Sequence, residues 1–185
     1  MAHMHEPKPV KLIVAMLFAR EELLPAVQHE LAQAFGEIDY ISPRFPFNLT
    51  DYYHAEMGSP LYRLFLSFAH LVSPQVLAGA KQRCRVLEQD FAHTGKRRVN
   101  LDPGYLDTDK FVLASLKYHG YKIYLSDGVW ADMTLHYEKG HFTALPWSFP
   151  DFRSGLYEPV FLRLRQIYKQ QLRAPAAGGA ADDLK

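Results

Sequence analysis

The residues best suited to chemistry lie in one run, Arg98-Val99-Asn100-Leu101-Asp102-Pro103-Gly104-Tyr105. Alternate residues of a strand share a face, so Arg98, Asn100 and Asp102 are expected to point one way and Arg97, Val99 and Leu101 the other. Pro103-Gly104 suits the middle of a type II turn, where glycine takes a positive φ and frees backbone amides. Such amides, with Arg98 and Lys110, would suit a phosphate or carboxylate. The competing expectation is that Asn100 and Asp102 only satisfy nearby backbone groups, as both residue types do at turns.

Two aromatic segments are the next candidates. Asp51, Tyr52, Tyr53 and Glu56 form one; Trp147 and Arg153, within Pro146-Trp147-Ser148-Phe149-Pro150-Asp151-Phe152-Arg153, belong to the other. Flat rings beside charges suit stacking on a planar ligand, with Arg153 free for an anion. The same rings would also pin long loops to a sheet. A third set, Trp130, Asp132, Thr134 and His136, falls on one face of a strand whose other face carries Met133, Leu135 and Tyr137; an exposed sheet face accounts for it.

Metal and cofactor chemistry finds little support. Asp102, Asp127, Asp132 and Asp151 are far apart, with no His-x-x-x-His and no cysteine pair. Mg²⁺ needs only one or two carboxylates plus substrate phosphate, so the spacing is compatible with it without calling for it. The single cysteine, Cys84, excludes an internal disulfide framework and, on a helical stripe with Leu77, Ala80, Leu87 and Phe91, reads as core.

The elements that must position these groups follow from periodicity. Residues 11–19 form a continuous apolar run, as a strand buried on both faces does. Helical spacing covers 21–35, ended by Gly36, and 74–92, where Ser73 and Pro74 make a good start. Strand character returns at 38–47, weakened by Pro43 and Pro46, then at 62–69 and 97–102. That order predicts an α+β fold with a ferredoxin-like split βαβ start. Segments 121–125, 129–137 and 141–145, joined by Asp127-Gly128 and Lys139-Gly140, predict an antiparallel meander that extends the sheet. Residues 111–117 suit either strand or short helix, and 158–172 form a C-terminal helix. The expected organisation is a disordered leader over 1–9, one domain over 10–173 and a disordered tail over 174–185.

Four segments together carry a resemblance. Asp51-Tyr52-Tyr53-His54-Ala55-Glu56-Met57-Gly58, Arg97 to Leu106, Lys122-Ile123-Tyr124-Leu125 and Pro146 to Arg153 recur in that order in one bacterial family. The chain resembles the family of domain of unknown function 4416 over roughly residues 8–173. The resemblance brings a suggestion of GTP binding, for which this chain has no Gly-x-x-x-x-Gly-Lys-Ser/Thr loop. Where the family pattern has His-Arg and Tyr-Ala-Glu, this sequence reads Tyr121-Lys122 and Trp130-Ala131-Asp132, so the charge types survive and the imidazole is lost.

Composition sets the outer bounds. A chain of 185 residues, 48% hydrophobic and 14% aromatic, builds a substantial core. The net charge of +1 argues against nucleic acid. The longest apolar run is too short to span a bilayer and the start lacks a signal peptide's apolar stretch, so a cytoplasmic location is expected. The expected function is binding of a small anionic or nucleotide-like ligand among Arg98, Asn100, Asp102, Gly104, Tyr105, Lys110 and Arg153, with the reaction and any cofactor left open. The alternative is a non-catalytic protein- or RNA-interaction module, using exposed aromatics and the basic face Arg163, Arg165, Lys169 and Arg173 of the last helix.

Overall fold

The computed structural model describes residues 5–50 and 52–174. Strand β1, Val10–Phe18, is buried along its whole length. Helix α1, Leu24–Phe35, follows one tight turn, has Pro25 in its first turn and stops at Gly36, whose φ of 95° suits glycine. The weak strand splits at its prolines into β2, Ile38–Ile41, and β3, Phe45–Pro46. A short helix α2, His54–Met57, precedes β4, Tyr62–Val72. Ser73 Oγ accepts from Gln75 N, and helix α3, Leu77–Asp90, leads to β5, Val99–Leu106. Then come β6, Lys110–Ser115, β7, Ile123–Ser126, β8, Val129–Glu138, and β9, His141–Ala144. The described chain closes with α4, Pro150–Arg153, and α5, Glu158–Arg173.

All strand pairs are antiparallel, in the order β2-β4-β1-β5-β6-β8-β7, with β3 beside β4 and β9 beside β8. Alternation along β1 divides the core. Leu12, Val14, Met16 and Phe18 pack under α1 and α3, while Ile13 and Ala15 face the aromatic layer of Phe111, Phe152, Tyr157 and Phe161 beneath α5. Among the described residues no helix is long and apolar enough to cross a membrane. Residues 1–4 of the expected leader and 175–185 of the expected tail lie outside the described residues.

Two local expectations are corrected. Pro103-Gly104 makes no turn, because β5 runs straight through it and pairs with β1 from Val99 to Leu106. Pro103 is tolerated because odd-numbered residues of this stretch turn their backbone groups to the outer edge, where no strand meets it. On β8 the alternation breaks at Thr134: Leu135 pairs with Phe111, whereas Met133 pairs with Val112. This bulge reverses the phase, leaving Met133 exposed and burying Asp132 and Thr134, opposite to the expected exposed face.

Candidate functional site

The sheet parts between β5 and β6. They pair only as Gly104↔Leu113, Tyr105↔Val112 and Leu106↔Phe111, so among the described residues the outer edge of β5 before Gly104 has no strand partner. Buried backbone groups without partners cost about 1–3 kcal/mol each. Here side chains of α3 supply the partners. Leu101 N donates to Glu88 Oε1 at 2.6 Å, and Lys81 Nζ donates to the Leu101 carbonyl at 3.1 Å. Lys81, Cys84 and Glu88 stand three and four residues apart on the buried stripe of α3, which places both charges at that edge.

A cavity of about 390 Å³ occupies the opening. Asn100 and Asp102 of β5 and Leu113 of β6 line it, with Arg63 of β4 and Asp132 of β8 also reaching it; Phe47, Leu49, Tyr53 and Phe149 to Phe152 close over it. Asp102 is one of its charged lining residues. Its Oδ1 accepts from Lys81 Nζ at 2.8 Å and its Oδ2 from Asn100 Nδ2 at 2.6 Å, while 26% of its side-chain surface stays open. Burial pushes the Asp102 carboxyl up, but Lys81, Arg63 and Asn100 together hold it below the ordinary carboxylate range. Burial works against the charge on Lys81, yet Asp102 and Glu88 outweigh it and raise its pKa. Glu88 is raised, because its burial outweighs Lys81 and the Leu101 amide.

A chain of bonds ties the loop over the cavity to this floor. Arg97 Nη1 donates to Asn100 Oδ1 at 2.8 Å, and its Nε and Nη2 each donate to Glu56 at 2.7 Å. This two-pronged contact fixes α2, and with it Tyr53, against the head of β5. The Tyr53 hydroxyl is pushed up to about 12, by burial first and the Asp102 charge second.

Two further ion pairs lie in the walls. Arg63, with 5% of its side chain exposed, lies against the Phe47 and Phe152 rings; its Nε is 2.9 Å from Asp151 Oδ2 but out of line, so among the described residues Nε has no hydrogen-bond partner. Lys122 Nζ is 3.2 Å from Asp132 Oδ2 and donates to Ser115 Oγ at 2.8 Å. Among the described residues Asp132 Oδ1 is buried without a hydrogen-bond partner, and burial raises this carboxyl despite Lys122.

Among the residues singled out from sequence, Asn100, Asp102, Tyr52 and Tyr53 line the cavity, and Glu56 holds Arg97. The others stand elsewhere. Arg98 precedes β5 and reaches Glu22 at 3.9 Å. Gly104 offers no turn amides: a Cβ there would lie 2.6 Å from the Val112 carbonyl and 2.8 Å from the Phe111 ring. Tyr105 packs against the cluster that holds Leu77, Val112 and Val129, and Lys110 pairs with Asp107 at the end of β6 away from the cavity. Arg153 is exposed, and Trp147 stacks on Tyr121 and donates to the Met133 carbonyl at 3.1 Å. Asp51 lies outside the described residues.

Sequence reasoning missed Lys81, Glu88, Arg63 and Lys117 as lining residues, and it weighed Asp132 and Asp151 only as scattered carboxylates or as parts of other segments. The signal for Lys81 and Glu88 was available, since both fall at helical spacing on a core-facing stripe. For Arg63 the signal was a lone cation inside an apolar strand run.

This arrangement can bind and orient a polar molecule. Cys84 is no nucleophile, since burial pushes its thiol well up. Among the described residues no three His, Cys, Asp or Glu side chains converge to hold a metal ion. Fold and site thus define an α+β domain with a charged cavity where one antiparallel sheet parts. The family pattern of the domain of unknown function DUF4416 matches residues 8–168, and the chain belongs to that family. No curated protein and no solved structure matches it.

Proposed function

We propose that the chain binds a small nucleotide-like ligand in the cavity between β5 and β6, its hydrogen-bond donors on Asp102 and its anionic group among the lining cations. The observation that carries this reading is the Asp102 carboxylate. It accepts one bond from Lys81 and one from Asn100, half of the about four that a carboxylate can take, and presents open surface to the cavity. A volume near 390 Å³ falls within the range of small-molecule sites. Aromatic and aliphatic walls from Leu49, Tyr53, Leu113 and Phe149 suit a flat body. A polyphosphate suits it poorly, because Arg63, Lys81 and Arg97 already face Asp151, Asp102 and Glu56.

The scaffold reading belongs with it: the order β2-β4-β1-β5, with α1 and α3 on one face, supports a ferredoxin-like split βαβ unit extended by the β6 to β9 meander. The test is a thermal-melt screen of nucleosides, nucleotides and inorganic phosphate. At about 100 times Kd a ligand adds about 2.7 kcal/mol, or roughly 5–10 °C for a chain of this size. Asp102→Ala should abolish the shift. A melt unmoved by every probe would overturn the proposal.

A second reading, a protein-contact module, draws on edge strand β7, where Ile123, Tyr124 and Leu125 are all exposed. It predicts concentration-dependent self-association in sedimentation that Ile123→Lys removes. A monomer at every concentration counts against it. The basic helix adds less support, since Arg165 covers the Tyr137 ring and donates to the Thr108 carbonyl.

A further inference from the structure

One lining cation differs from the rest. Arg63, Lys81 and Arg97 each lie against a carboxylate, at 2.9, 2.8 and 2.7 Å. Lys117, just past the end of β6, has no carboxylate within ion-pair distance among the described residues. Its Nζ donates to the Tyr52 hydroxyl at 2.8 Å and lies 4.4 Å from the centre of the same ring. Tyr52 is 65 residues away in sequence, and both residues line the cavity while their bond is exposed. Tyr52 is well exposed, at 62%. A neutral phenol is a weak partner for an ammonium group; a phosphate oxygen is a stronger one, because both partners then carry charge.

We propose that Lys117 is the phosphate-recognition residue of this cavity and that Tyr52 is its stand-in partner, so that a nucleotide-like ligand exchanges its phosphate for the Tyr52 hydroxyl as it enters. This rests on the binding function proposed above and adds the ligand's orientation. The donor-bearing body points inward to Asp102 and the phosphate outward to Lys117. Because Tyr52 also packs edge-on to Tyr53, its release frees the outer ring of the roof while the Arg97 to Glu56 contact keeps α2 in place.

The test is calorimetric titration of the full chain with matched nucleosides and their 5′-monophosphates. The wild type should prefer the monophosphate by about tenfold, the worth of one charge-assisted contact near the surface. Lys117→Met should erase most of that preference, Lys117→Arg should keep it, and Tyr52→Phe should tighten monophosphate binding by removing the competing hydroxyl. Equal binding of nucleoside and monophosphate, or a preference that survives Lys117→Met, overturns the role of Lys117 while leaving the cavity a binding site. Failure of both probe classes to bind overturns the binding function itself, and this inference with it.

Discussion

From Gly104 to Leu106, β5 satisfies its outer edge by pairing with β6; before Gly104 the same edge is met by Glu88 and Lys81 of α3. The first arrangement is neutral and close-packed. A Cβ at Gly104 would lie 2.6 Å from the Val112 carbonyl, so little space remains between the strands. The second brings ionised groups into the interior, and each needs an opposite charge: Lys81 stands against Asp102 and Glu88, and Glu88 has Arg97 at 3.6 Å as well. Two side chains also fill less volume than a strand does, and the remainder is the cavity. The contrast teaches that this sheet trades a stretch of ladder for a polar opening, at the cost of a buried charge network.

Breaking the open half should have the largest effect. Lys81→Met leaves the Leu101 carbonyl and Asp102 without their cation, and we expect a loss of about 3–5 kcal/mol in urea unfolding. A loss under about 1 kcal/mol would mean that the open edge does not depend on α3. Overfilling the paired half comes next: Gly104→Ala should cost about 1–3 kcal/mol by the same measurement, since a backbone carbonyl must move. Indifference to that change would show that the two strands are not close-packed there.

The charge network also sets a pH dependence. Glu88 has a raised carboxyl, so in the folded state it keeps its proton over a window where the unfolded chain has lost it. Stability should therefore fall as pH rises from the ordinary glutamate value through the raised one. Asp102 acts oppositely: its depressed carboxyl lends stability above the ordinary aspartate value, lost as pH falls through the folded one. Glu88→Gln, which keeps an acceptor for Leu101 N, should remove the first trend from melting curves taken between pH 4 and 7. A decline of equal size in that variant would assign the trend to other groups. The smallest effect is expected at the mouth, where Lys117→Met should change unfolding stability by no more than about 0.5 kcal/mol.

Much of the scaffold was legible in sequence. The apolar run of β1, the stripe of α3 and the glycine turns of the meander follow from local pattern, and alternation put Asn100 and Asp102 on one face, away from Val99 and Leu101. It failed before the strand begins, where Arg97 bonds to Asn100 and Arg98 turns to Glu22. Pro103-Gly104 misled for a physical reason. The dipeptide favours a turn in isolation, but here the missing N–H faces an edge without a strand, and glycine is needed for the approach of Phe111 and Val112. The β8 bulge was invisible because it is set by pairing across strands, so Asp132 read as exposed. Lys81 and Glu88 were passed over since charges on a helix usually face solvent, and only the parted sheet gives them an inward task.

If the open half of β5 binds the proposed ligand and the paired half only holds the sheet, a ligand should perturb one half and leave the other unchanged. Backbone amide shifts followed during titration with nucleoside 5′-monophosphates test it most directly. Asn100, Leu101, Asp102 and Lys117 are expected to shift while Tyr105 and Leu106 stay still. Shifts confined to Tyr105 and Leu106 or to β7, or none with any of these probes, would contradict it.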